Sequence, residues 1–154
     1  MLSFSIWIFI AHAISAFCLI GLIWTIQLLH YPAFVFIDRQ KFQDFAAFHQ
    51  TRISLIVIPF MLTELVTALL LPWYRPDFLP LWAAYTSAIF VALIWISTFT
   101  IQVPIHTKLS RKMDERLIQR LVSTNWIRTV AWSGRGLLLI WFLAHGLSIN
   151  VTGQ

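Results

Sequence analysis

The chain has 154 residues, of which 59% are apolar, 16% aromatic and 11% charged, with mean hydropathy +0.78 and a formal net charge of +5. Soluble domains carry roughly 25% charged residues, so most of this surface cannot face water; the same figures exclude a disordered, collagenous, coiled-coil or disulfide-stapled chain. A single cysteine, Cys18, lies in an apolar run and can form neither an internal disulfide nor a CxxC redox pair.

About 20 consecutive apolar residues cross the hydrocarbon core as a helix. Four stretches qualify: residues 2–31, 53–73, 79–103 and 126–147. No Lys or Arg precedes the first, and no small-residue cleavage site with a polar mature chain follows it, which predicts a retained helix rather than a signal peptide. Pro32 and Pro104 are expected to end the first and third spans, while Pro72, Pro76 and Pro80 mark a short turn between the antiparallel second and third. The two long connections read as helical extensions of the second and fourth spans. Phe42, Phe45 and Phe48 recur at three-residue spacing, and Leu117, Leu121 and Val122 at similar offsets, which gives each extension an apolar stripe. Asp38 and Ser110 or Asp114 are the expected N-caps. Each extended helix would exceed about 30 residues, or about 45 to 50 Å, and project beyond the bilayer with a vestibule between the two. Trp73, Trp82 and Trp126 fall where interfacial anchors belong, whereas Trp24, Trp95, Trp132 and Trp141 lie within spans, either lining a pocket for a planar ligand or facing lipid.

Basic residues are unevenly placed. Arg39, Lys41, Arg52, Lys108, Arg111, Lys112, Arg116, Arg120 and Arg128 lie in or beside the first and third connections, and only Arg75 lies in the second. The positive-inside rule therefore predicts a multi-pass protein, of a bacterial inner membrane, with both long connections cytoplasmic and both termini outside. The pI near 10.0 is then a topology signal and not a nucleic-acid footprint, since no aromatic-basic recognition module accompanies it.

An internal repeat emerges at an offset of about 75 residues. Thr25-Ile26-Gln27 recurs as Thr100-Ile101-Gln102, His30 and Pro32 correspond loosely to His106 and Pro104, and His49-Gln50-Thr51-Arg52 corresponds to Asn125-Trp126-Ile127-Arg128. A shift by two spans preserves orientation, so the halves are parallel repeats. The expected fold is all-α: one membrane domain over 1–154, a four-helix transmembrane bundle of two two-helix repeats (about 1–78 and 79–154), with the second and fourth helices extended into the cytoplasm. Gln27 and Gln102 should approach one another across the pseudo-two-fold axis.

This topology brings Gln27, His30, His49, Arg52, Gln102, His106, Asn125 and Arg128 to one level at the cytoplasmic end. Polar groups in a membrane bundle are costly unless paired or lining a cavity, so this constellation is the candidate site, with bundle-holding hydrogen bonds as its structural alternative. Glu64 and Arg135 lie deeper, at matching depths of about 14 to 17 Å of rise, and are expected to pair, with Gly134 and Gly136 admitting a neighbouring helix. His12 and His145 lie toward the outer ends and are given no catalytic role. No HExxH, Glu-x-x-His or carboxylate cluster supports a di-iron centre. The histidines leave haem or another metal open as a cofactor, beside cofactor-free chemistry.

Several segments together resemble the anthrone-oxygenase-like family of small four-span membrane proteins: HYPAF (30–34), F-x-x-F-H-Q-x-R-I followed by a proline (45–59), V-P-I-H-x-x-L (103–109) and T-N-W-I-R-T-V (124–130). The resemblance covers about 27–139, and its most specific part is the Asn125-Trp126-Ile127-Arg128 segment with the preceding V-P-x-x-x-x-L. Where the family often shows Asn after V-P-L, this chain has His106. The resemblance implies an oxygenase that turns an anthrone into an anthraquinone. Such chemistry needs a base, for which His49 or His30 is the candidate, and donors to an enolate oxygen from Arg52, Arg128, Asn125 and Gln102. The remaining candidates, Gln27, His106, Glu64 and Arg135, would bind substrate or cofactor. Expected partners are membrane lipids and a hydrophobic, aromatic or quinone-like small molecule, with a second copy or a redox complex as a protein partner. A haem- or metal-binding subunit and a small transporter are the alternative functions.

Overall fold

The computed structural model describes the backbone of residues 3–152 and the side chains of residues 3–146; the expected start of the first span at Leu2 and the two chain ends lie outside the described residues. The element order is α1 (Phe4–Thr25), a π-helical turn (Ile26–His30), a 3-10 segment (Pro32–Phe36), α2 (Phe42–Leu70), α3 (Leu81–Ser97), a second π turn (Thr98–Gln102), α4 (Val103–Leu109) and α5 (Glu115–Thr152). The described residues form an all-α four-helix bundle. Four helical stretches, Phe4–Phe36, Phe42–Leu70, Leu81–Leu109 and Glu115–Gly146, are long and apolar enough to cross a membrane, which makes this a multi-pass membrane protein. Its outward faces fit that solvent: Leu55, Leu62, Leu69, Ile89 and Ile96 are all exposed. Trp73, Trp82 and Trp126 are exposed as well, as interfacial anchors are.

Neither proline ends its span. Each follows a π turn that begins six residues earlier, at Ile26 before Pro32 and at Thr98 before Pro104. A proline ring collides with the carbonyl four residues back in a straight α-helix and supplies no N–H. Widening the preceding turn, so that the Tyr31 amide bonds the Ile26 carbonyl at 3.0 Å, relieves that collision while keeping backbone groups paired. The third span consequently continues to Leu109, seven residues into α4. Pro59 lies inside α2 with no widened turn before it, and the α-helix runs on past it to Leu70.

The ends of the helices correct three further expectations. Asp114 caps α5, its carboxylate accepting the Arg116 and Leu117 amides at 2.9 and 3.2 Å, but Asp38 binds the Gln40 amide at 2.7 Å in a turn that precedes α2. With α2 starting at Phe42, it has 29 residues, short of the expected thirty. Phe42 is buried and Phe45 partly so, while Phe48 is exposed. At about 100° per residue, a three-residue repeat drifts off the buried face within two steps, and the true stripe continues through Ala46 and His49.

Two apolar clusters fill the bundle. One, near the short turn, contains Phe9, Ala16, Leu71, Leu79, Ala84 and Leu139. The other reaches the opposite, basic end, where Phe34, Phe42, Leu109 and Ile118 pack together beneath the long connections. Arg39 pairs with Glu115 across those connections at 3.0 Å, and Gln43 donates to the Arg111 carbonyl. The expected vestibule is therefore filled.

Candidate functional site

Most of the expected polar constellation converges at the basic end of the bundle, where Gln27, Asn125, Arg128 and His106 are joined through Tyr31 into one hydrogen-bonded network. The Gln27 carbonyl oxygen accepts from Asn125 Nδ2 at 2.8 Å and from Thr129 Oγ1 at 3.2 Å, and its amide donates to the Val122 carbonyl at 3.1 Å. Gln102 donates to the Thr124 carbonyl at 3.4 Å and accepts from Ser97 at 3.0 Å. The two glutamines thus grip neighbouring carbonyls of α5, and no hydrogen bond joins them to each other among the described residues. Asn125 Oδ1 accepts from Arg128, whose Nη2 also donates to the Tyr31 hydroxyl at 3.3 Å. Tyr31 in turn meets His106 Nε2 at 2.9 Å. Because the phenol oxygen already accepts from Arg128, its own proton is free to point at His106.

His30 Nε2 and His49 Nδ1 are 2.8 Å apart, forming a second pair behind the first, and the His49 and His106 rings lie 5.5 Å apart between centroids. His49 Nε2 is buried without a hydrogen-bond partner. Two of the three imidazoles thus use a nitrogen on each other and the third uses one on Tyr31. No group of three or more His, Cys, Asp or Glu among the described residues is placed to hold a metal ion. Arg52 does not join the network: it is exposed and its guanidinium lies over the Phe48 ring at 5.5 Å. The three-residue spacing from His49 does not carry Arg52 into the buried face, and its side chain stays on the outward side of α2.

Next to this network lies a cavity of about 340 Å3, within the size range of small-molecule sites. Its walls are mostly apolar, including Leu19, Ile23, Val57 and Met61, with Trp95 and Trp132 as aromatic faces; Tyr31, Ser54, Thr98, Gln102, His106 and Arg128 supply its polar groups. Of the three clustered histidines, only His106 lines it. Arg128 is 6% exposed and has no carboxylate partner, since the ion pairs among the described residues are Arg39–Glu115 and Glu64–Arg135. Neutral acceptors satisfy its geometry but not its charge. The Trp95 indole N–H is also buried without an acceptor. Trp24 and Trp141, the other candidates for a planar-ligand wall, are exposed.

Glu64 and Arg135 do pair, at 2.5 Å, with both side chains fully buried. Trp132 Nε1 donates to the same carboxylate at 2.9 Å and so links the pair to the cavity wall. Gly136 makes room for α1: a Cβ there would overlap the Ile20 side chain. His12, expected toward the outer end of the first span, is fully buried beside this layer. Its Nδ1 is 2.8 Å from Thr67 Oγ1 and its Nε2 2.9 Å from Ser87 Oγ. Thr67 donates its proton to the Thr63 carbonyl at 2.7 Å, which assigns the His12 proton to Nδ1 and makes Ser87 the donor to Nε2. Thr67 and Ser87 carried no signal in sequence beyond polarity inside a span, and Tyr31 was legible only as the residue before Pro32.

No family model, curated protein or solved structure matches the chain.

Proposed function

We propose that this protein is a membrane-embedded oxidoreductase of the anthrone-oxygenase-like kind, acting on a planar aromatic or quinone-like molecule held in the Arg128 cavity. The observation that carries this reading is a buried, uncompensated guanidinium beside an apolar chamber. Desolvating an unpaired ion costs several kcal/mol, and a ligand oxygen bearing negative charge offsets that cost. A stacked hydrocarbon body against Trp95 and Trp132, with an oxyanion at Arg128, fits both features.

For an anthrone the balance is one CH2 and one O2 giving one C=O and one water. The CH2 proton leaves first. Tyr31 passes its proton to His106 Nε2 and takes the substrate's, while Arg128 holds the enolate oxygen that forms. The electron-rich enolate then delivers its electrons to dioxygen, the co-reactant. The base thus moves from the histidines expected in sequence, His49 and His30, to the Tyr31–His106 pair. The basic connections are cytoplasmic and the termini outside in this reading, on the positive-inside bias of a bacterial inner membrane.

The test is oxygen consumption by the purified protein in liposomes with 1,8-dihydroxyanthrone. One O2 should disappear per anthraquinone formed, at a rate well above protein-free liposomes, and His106→Gln should lower it about 100-fold or more. A rate equal to that of protein-free liposomes rejects the enzyme.

A further inference from the structure

We propose that the Arg128 cavity is loaded sideways from the bilayer, through a mouth between α2 and the third span, so that its ligand is a lipid-dissolved molecule and not a water-borne one. The proposal takes from the preceding section only that the cavity is a ligand chamber.

The walls leave one way in. On the α1 and α5 sides the lining residues Leu19, Ile23, Trp132 and Arg128 are buried. At the basic end, Phe34, Ile105, Leu109 and Ile118 are packed shut, and the tied connections lie over them. Toward the short turn, the Glu64–Arg135–Trp132 layer and the second apolar cluster close the bundle. Three lining residues nevertheless reach the surface: Ile58 of α2 at 51% exposure, Phe99 at 59% and Val103 at 44%, the last two on the third span. The large exposed side chains around them, Leu55, Leu62, Leu93 and Ile96, are apolar. A mouth framed in this way, within two stretches that meet the length and hydropathy of membrane spans, faces hydrocarbon.

The chemistry of the ligand follows. It must partition into acyl chains before it meets the protein, which excludes sugars, nucleotides and permanently charged metabolites. It must also present an oxygen to Arg128 once inside. A neutral phenol or enolisable ketone satisfies both demands, because it crosses the mouth uncharged and gives up its proton only beside the guanidinium; a quinone meets them with a neutral carbonyl oxygen that accepts from Arg128.

The experiment uses a lipid-dissolved aryl diazirine, photolysed in liposomes containing the protein, with adducts mapped by mass spectrometry. Buried lining residues Ile23 and Met61 should be labelled along with outward-facing Leu62 and Ile89. Phe99→Trp, which narrows the mouth, should cut interior labelling at least tenfold and leave Leu62 and Ile89 unchanged. Adducts confined to outward residues in the wild type would overturn the proposal, as would a cavity permanently plugged by a phospholipid tail, which gives that same pattern. Interior labelling indifferent to Phe99→Trp would overturn it too. None of these results depends on turnover, so a missing oxygenase activity and a missing lateral entry are read separately.

Discussion

Removing Glu64 should destabilise the bundle by leaving Arg135 charged and alone. Both side chains are fully buried and 2.5 Å apart, and breaking a buried pair by deleting one partner costs about 3 to 5 kcal/mol. Glu64→Ala also strands the Trp132 indole N–H, which donates to that carboxylate at 2.9 Å, and an unsatisfied buried donor costs about 1 to 3 kcal/mol. The two terms share one carboxylate and do not add fully. An unfolded state that stays in the bilayer finds partial partners for its polar groups, which trims them further. A net loss of about 3 to 5 kcal/mol is therefore expected for Glu64→Ala. Glu64→Gln keeps an acceptor for Trp132 and should lose about 1 kcal/mol less. The double replacement Glu64→Met with Arg135→Met removes both charges, and should come within about 1 kcal/mol of the wild type or exceed it. Equilibrium unfolding in mixed dodecylmaltoside and dodecyl sulfate micelles, followed by tryptophan fluorescence, measures all of these. Single variants that each cost less than about 1 kcal/mol and sum to the double would refute a tight, desolvated pair.

Pro104→Ala should let the Thr98–Gln102 turn relax toward an α-helix, turning Gln102 and His106 out of register with α5. The variant should remain folded by its circular-dichroism melt, yet bind 1,8-dihydroxyanthraquinone at least tenfold more weakly by absorbance titration. Topology is checked in a Cys18→Ala background. Lys112→Cys should react with a membrane-impermeant maleimide only from the cytoplasmic face and Asp77→Cys only from the outside; the exchanged pattern would overturn the orientation, and reaction of both from one face the spanning topology.

The bundle was legible because the apolar runs are long and almost free of charge, and the Glu64–Arg135 pair because two lone ions at equal depth have few other solutions. The polar end was legible for the same reason: Gln27, His49, Gln102, Asn125 and Arg128 interrupt spans that otherwise avoid such groups, and all are buried together. What escaped depends on rotation about helix axes. Arg52 and Arg128 follow His49 and Asn125 at the same spacing, yet one faces out over Phe48 and the other lies in the network. Pro32 and Pro104 read as helix ends because local sterics say so, whereas a span without water has strong reason to keep its carbonyls paired and widens into a π turn instead. His12 escaped because its partners, Thr67 and Ser87, are contributed by two other helices. The cavity is a property of how four surfaces fail to meet, and no single segment encodes it.

Whether Arg128 heads a ligand chamber is decided by binding of 1,8-dihydroxyanthraquinone to the wild type and to Arg128→Leu in liposomes. A charge-assisted hydrogen bond is worth about 1.5 to 3 kcal/mol, or roughly 10- to 150-fold in affinity. The wild type should bind saturably, with the red-shifted absorbance of a phenolate held against a cation, and Arg128→Leu should bind weaker by that factor and lose the red shift. Equal affinity and equal colour in the two proteins, or no saturable binding by the wild type, would contradict the account.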